Sequence, residues 1–221
     1  MSYVYMKALE KRAEKYDKGI SYLTLGRLAK IKKYISDNLV HKNEEILDIG
    51  MGTGTFTILC AEKGAIVTGI DYSEKMLEVA KENIKLNGNT ARIQIIKMPV
   101  IELDKQFSDK SFDKITAILV FSELYRAEQD FCLNQIFRIL KDDGEFILVD
   151  EVKPKKIWKK IVYFFIRVPL VIITYFKSQL TTQSLKNVKE RLESHNFFVI
   201  EEKCYLLDSL KLFRLKKNPN I

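Results

Sequence analysis

Three glycines at alternate positions, Gly50, Gly52 and Gly54, stand between two acids, Asp48 just before them and Asp71 further on. They follow a short apolar run, Glu45-Ile46-Leu47-Asp48-Ile49, which is too short for a helix and ends at a breaker. It reads as a buried strand of a parallel sheet. A tight strand-to-helix turn needs backbone angles that side chains oppose, and a ligand close to the main chain needs the space a Cβ would fill. Residues 53–63 continue as a helix whose first N–H groups point back at the turn. Such a turn cradles a polar small molecule. Asp71, closing the run 65–70, has the chemistry to chelate the two hydroxyls of a ribose. Glu123 follows the apolar run 113–120, and Asp150 and Glu151 end another. Glu123 could act as a general base, orient an acceptor, or cap the helix after it. Asp150 and Glu151 are second candidates, and Tyr125 and Tyr22 further ones.

Two ligand readings compete at the glycines. The dinucleotide fingerprint is Gly-x-Gly-x-x-Gly with an acid about 20 positions on. Here the spacing is Gly-x-Gly-x-Gly, preceded by Asp48. A doubly anionic pyrophosphate would be opposed by Asp48, whereas a ligand carrying an ammonium and a sulfonium would not. A nicotinamide-dependent oxidoreductase is therefore disfavoured.

The elements that must position these residues alternate. Before the first strand, Leu25, Leu28, Ile31, Ile35 and Leu39 recur at helical spacing, and a shorter helix precedes them with a break near Lys18-Gly19. Strand 45–50 leads to helix 53–63, and strand 65–70 to helix 73–87. That second helix has Ser73 as N-cap and ends at Asn87-Gly88-Asn89. Strand 92–97, a loop or short helix to Asp109, strand 113–120, helix 127–140 and strand 145–150 follow, with Lys141-Asp142-Asp143-Gly144 as a turn. A helix over 184–194 and two strands, 197–200 and 210–215, close the chain as an antiparallel hairpin at the sheet edge. This is an α/β, Rossmann-like architecture: a mostly parallel sheet with helices on both faces. Its ligand site lies beyond the carboxyl ends of the strands. Asp48, Gly50, Asp71, Met98, Glu123 and Asp150 all fall on that one rim.

The 221 residues, 47% hydrophobic and 30% charged, fit one domain, or one domain with a small cap. Cys60, Cys132 and Cys204 lie far apart, and His41 and His195 have no partner pattern, which argues against a metal site or a disulfide framework. With no signal peptide visible, a reducing cytoplasm is expected. The net charge of +8 is spread over many lysines, as on a solvated surface. Nucleic acid is not an expected partner, because the aromatics cluster in an apolar segment and not among the basic residues. Five lysines in 153–160 precede the apolar stretch 161–176, which Arg167 and Pro169 interrupt and which is shorter than a spanning helix. Residues 153–180 read as a basic and apolar cap over an acceptor pocket, or, through 153–177, as a peripheral membrane contact facing anionic lipid.

The stretches "ILDIGMGTGTF" and "VTGIDYSEKMLEVAKEN" resemble the first and second motifs of the class I S-adenosylmethionine (SAM) dependent methyltransferases. The likeness to the ubiquinone/menaquinone-biosynthesis type covers roughly residues 40–150. It implies a seven-stranded sheet with an antiparallel C-terminal hairpin, and methyl transfer from SAM to leave S-adenosylhomocysteine. By that resemblance the backbone at Gly50 and Gly52 would hold the methionine end of SAM, with Asp48 supporting its amino group, and Gly54 also belongs to the cofactor site. Asp71 would take the ribose, with Tyr72, Met76, Pro99 and Phe121 around the nucleoside. "AEKYDKGI" resembles a tyrosine-aspartate lid, so Tyr16 would close over the cofactor from a helical lid spanning 1–40; the other reading is a surface helix packed on the sheet. The family commonly has an acid near position 98. Met98 stands there instead, so adenine would rest on its backbone N–H and on apolar contacts.

A finer likeness exists. "YVYMKALEKRAEKYDKGISYLTLGRL", "FSELYRAEQ" and "VDEVKP" are similar to the corrinoid protein-associated methyltransferases, which implies a corrinoid-protein partner. The expected function is SAM-dependent methyl transfer to a small, lipophilic or protein-bound acceptor. The rival is a non-catalytic SAM-binding subunit that regulates a partner protein.

Overall fold

The alternating side chains of the strands sort the core into two layers. The computed structural model describes residues 13, 16–88, 90–154, 158 and 185–218, without the side chains of 22 and 23. In chain order its elements are α1 (Tyr16–Leu23), α2 (Arg27–Leu39), β1 (Glu45–Ile49), α3 (Thr55–Glu62), β2 (Ile66–Asp71), α4 (Glu74–Asn87) and β3 (Ile93–Lys97). Then come α5 (Leu103–Gln106), β4 (Phe112–Ile118), α6 (Arg126–Ile139), β5 (Leu140–Glu151), α7 (Val188–Ser194), β6 (Phe197–Tyr205) and β7 (Leu210–Lys217). The seven strands make one sheet in the order β3-β2-β1-β4-β5-β7-β6. Strands β1 to β5 are parallel, and β7 enters antiparallel between β5 and β6.

Ile46, Ile147, Val149 and Leu212 point to one face, where Leu28, Ile31, Ile35 and Leu39 of α2 and Phe56 of α3 cover them. Leu47, Ile115, Phe146, Leu148 and Phe213 point to the other face, under Cys132, Leu133, Ile136 and Ile139 of α6. Each such buried side chain contributes about 1.5–3 kcal/mol by leaving water. The expected doubly wound sheet is thus present, with its edge hairpin. From β1 the chain runs outward to β2 and β3, then crosses back to β4. That reversal puts the switch point at the carboxyl ends of β1 and β4.

Four boundaries differ from expectation. Helix α1 runs through Lys18-Gly19, and the chain breaks at residues 24–26 instead. Gly26 takes a φ of +68° and Leu25 one of +50° there. A glycine inside a helix costs only about 1 kcal/mol, so Gly19 is tolerated, whereas the left-handed turn favours Gly26. Leu25 is accordingly 77% exposed and lies outside the α2 stripe. Strand β5 begins at Leu140, not 145: Leu140 pairs with Phe112 and Glu145 with Lys114, and 141–144 bulge between them. The last helix starts at Val188, because Leu185 makes a β-bridge to Val152. Strands β6 and β7 extend beyond their apolar cores, since Glu202 ion-pairs with Lys189 and Lys211 and lets charged residues continue the ladder. Most of the 153–180 stretch and much of 1–40 lie outside the described residues, as does the choice between cap and membrane contact. Among the described residues no helix is long and apolar enough to cross a membrane.

Candidate active site

The turn after β1 is built by its glycines. Gly50, Gly52 and Gly54 have φ values of +68°, +57° and +77°, all in the left-handed region. A Cβ on Gly50 would lie 2.4 Å from Val120 Cγ2, so the β4 end presses directly on the turn. Gly50→Ala is therefore expected to lower stability by about 2 kcal/mol or more, through strained backbone and clash together, measured by denaturant unfolding. At Gly52 a Cβ would meet nothing within 4 Å, which leaves the backbone open to a ligand. Thr53 is buried, and its carbonyl accepts from Asn83 Nδ2 of α4 at 2.9 Å, fastening the turn to that helix.

Both acids around the turn are buried. Asp48 accepts from Thr57 Oγ1 at 2.7 Å and Thr116 Oγ1 at 2.9 Å. Burial raises its pKa, opposed by those two hydroxyls and by Lys32. Asp71 accepts from Gly52 N at 2.8 Å and from Ser73 N at 2.9 Å. One carboxylate thus braces the glycine turn and the start of α4, where Ser73 Oγ accepts from Met76 N as the expected N-cap. Met98 corrects an expectation. Its backbone N–H donates to the Asp71 carbonyl at 3.1 Å, continuing the β2–β3 ladder one residue past the strand, so that N–H is already taken. Its side chain is buried in the core.

A cavity of about 20 Å³ lies at the turn, lined by Tyr16, Lys32, Asp48, Gly50 and Gly52 among others. Tyr16 and Asp17 bring α1 over it, and Thr53 Oγ1 donates to the Asp17 carboxylate at 2.9 and 3.1 Å. Lys32, half-buried on α2, donates to Thr55 Oγ1 at 2.7 Å. Burial lowers its pKa, opposed by the charges of Asp17 and Asp48. Sequence reasoning missed Lys32, Thr57, Thr116 and Asn83.

Across the switch point a short turn, Phe121–Glu123, carries Glu123. Burial, then the charges of Asp150 and Asp71, push the Glu123 carboxyl up to about 8. Asp150 is fully buried and accepts from Ser122 N at 3.0 Å and Glu151 N at 2.7 Å. Burial lifts it to about 7 against those donors. It holds the Glu123 turn from below, with no surface of its own to offer. Phe121 is likewise core, its ring 6.1 Å from that of Phe146. Met76 is buried, Pro99 half-buried, and Tyr72 is 51% exposed at the rim.

The sheet order, the glycine turn and the acid ending β2 define a methyltransferase fold of class I. A family model described as a methyltransferase domain matches residues 40–191. The demethylmenaquinone methyltransferase of Thermotoga maritima is 30% identical over 173 residues, covering 75% of this chain and 71% of that protein. The demethylmenaquinone methyltransferase of Tropheryma whipplei (strain Twist) is 34% identical over 117 residues, 53% of this chain, and the chain spans about half of that relative's length (46%). A SAM-dependent methyltransferase structure from Aquifex aeolicus superposes with a TM-score of 0.67 at 16% identity, over 93% of this chain and 97% of that one. The chain belongs to the methyltransferase-domain family, and its fold is that of the class I SAM-dependent methyltransferases.

Proposed function

We propose that this chain transfers the methyl group of SAM to a small apolar acceptor of the hydroquinone type, with Glu123 as the base. The observation that carries the reading is Glu123 itself: a half-buried carboxyl on the turn after β4, set across the switch point from the glycine turn. The names of the Thermotoga and Tropheryma relatives support a quinone-type acceptor.

The residues at the turn suit the cofactor. The open backbone at Gly52 admits close approach. Lys32 and Asp48 face one cavity and offer opposite charges to an amino-acid group, Lys32 to its carboxylate and Asp48 to its ammonium. Asp71 stands where a ribose diol would be read. Tyr16 lines the same cavity and the Asp17–Thr53 contact ties α1 to the turn, so α1 would lie over a cofactor bound there. When bound, SAM supplies a methyl on a good leaving group, and the protein's task is in-line placement and proton removal. With SAM bound, Glu123 would take the acceptor's O–H proton as the ring carbon accepts the methyl group and S-adenosylhomocysteine leaves. The ring C–H proton would then pass to that oxygen and restore the hydroquinone, so the proton on Glu123 is the one released overall.

The test is titration calorimetry with SAM, S-adenosylhomocysteine and NAD, followed by mass-spectrometric turnover of a 2-polyprenyl-1,4-naphthoquinol. Micromolar binding of the first two and a product gaining one methyl group are expected. Lys32→Met is expected to weaken both by about tenfold, the loss of one charge-assisted hydrogen bond. No heat with SAM would sink the cofactor reading. Binding without turnover across quinols, small thiols and corrinoid proteins would favour a non-catalytic subunit.

A further inference from the structure

The turn that carries Glu123 is held by a side chain with no other evident task. Gln129, on the first turns of α6, is only 7% exposed. Its Nε2 donates to the carbonyl of Phe121 at 2.7 Å and to that of Leu124 at 3.0 Å, one on each side of Glu123. Its Oε1 accepts from the guanidinium of Arg191, whose other arm binds Asp130. The amide is thus in use at both ends, and its orientation is fixed: only the oxygen can face the arginine. Asp150 holds Ser122 N between those two carbonyls. The turn is therefore pinned at two peptide groups that flank Glu123, 121–122 through both its carbonyl and its N–H and 124–125 through its carbonyl.

Arg191 stands on α7, six residues past the bridge where Leu185 N donates to the Glu151 carbonyl at 2.9 Å. That bridge joins the end of β5 to the residues that lead into α7. We propose that Gln129 and Arg191 form a positioning relay that fixes the placement of Glu123 and couples its turn to the chain segment entering the last helix. Gln129 and Arg191 are positioning residues, not catalytic ones: their contacts are with main-chain carbonyls, with each other and with Asp130. The inference rests on the reading of Glu123 as the acceptor-side base for its effect on turnover, but not for its effect on the turn.

The physical basis is local. Without Arg191, the Gln129 oxygen loses a charge-assisted partner and the amide can rotate, so its two bonds to the turn weaken together. The alternative is that Gln129 merely stabilises the start of α6. The two roles separate by where the loosening appears. In Arg191→Met, amide hydrogen exchange at Ser122, Glu123 and Leu124 is expected to quicken by about tenfold or more, with β4 and the body of α6 unchanged. Turnover of the naphthoquinol should fall in kcat, with the SAM dissociation constant within about twofold of wild type. Arg191→Lys, which keeps a cationic donor, should recover part of both effects. Gln129→Met should match Arg191→Met.

Exchange at 122–124 equal to wild type would overturn the relay. So would exchange raised evenly through β4 and α6, which is general destabilisation. If wild type turns over no quinol, the acceptor reading fails, and the exchange measurement alone decides the relay. Should Gln129→Met fail to fold, the two Arg191 variants still carry the test, because that side chain is 19% exposed and leaves no enclosed cavity.

Discussion

Asp71→Ala is expected to weaken SAM binding by about 100-fold or more, seen by titration calorimetry as a loss of measurable heat at micromolar concentrations. Three effects add. The carboxylate holds Gly52 N at 2.8 Å and Ser73 N at 2.9 Å, so its removal leaves two main-chain donors without their anionic acceptor. A hydrogen bond to a charged group is worth about 1.5–3 kcal/mol, and each 1.4 kcal/mol is roughly tenfold in affinity. The glycine turn then loses the brace that fixes Gly52, where backbone freedom is greatest. Finally the ribose loses its acceptor. Asp71→Asn separates the parts: its amide oxygen can still serve one of the two N–H groups, so the loss should be intermediate. A dissociation constant unchanged in Asp71→Ala would remove the ribose role, and with it the main warrant for placing the nucleoside at the end of β2.

Much of this frame was legible because local and global signals agree. Ile46 and Leu47 alternate as a strand must, and the structure sends them to opposite faces. Ser73 reads as an N-cap and is one; Gly88 ends the same helix in the left-handed region. The glycine turn, Asp48 and Asp71 lie within a single strand–helix–strand unit, so their spacing in sequence reports their proximity in space. Lys32 carries no such signal. It follows Ile31 on an amphipathic helix, where a lysine ordinarily faces water, and only the docking of α2 against the turn brings its ammonium beside Asp48. Gln129 and Arg191, 62 positions apart, are invisible for the same reason. The sequence points to a break near Lys18-Gly19, but a helix can absorb one glycine, and the chain turns at Gly26 instead. The resemblance puts adenine on the Met98 N–H because the family's acid is missing there, yet the β2–β3 ladder takes one residue more than the apolar run suggests and uses that donor.

For Glu123→Gln, kcat is expected to fall by about 100-fold or more while SAM affinity stays within about twofold, the signature of a base that acts on the acceptor alone. Its pH dependence follows from its surroundings. Burial first, then Asp150 and Asp71, hold the carboxyl at about 8, against an ordinary 4.5. A base must be ionised, so kcat/KM for SAM, which reports the free enzyme, should rise with pH and level off above about 8. A sulfonium cation nearby favours the carboxylate, so the limb for kcat should lie at lower pH than the limb for kcat/KM. Stability moves the opposite way. The folded state keeps a proton that the unfolded chain releases near 4.5, so this contribution is full below that pH and is lost as pH rises through about 8. Asp150, lifted to about 7, acts in the same direction, so Glu123→Gln should lessen the slope between about 4.5 and about 8 and leave the part due to Asp150, which ends near 7. Thermal melts across this range would show it. A variant that keeps both the wild-type rate and the wild-type pH limb would take the base role away from Glu123. The turn would then be a structural cap on α6, and the raised carboxyl would reflect burial without use.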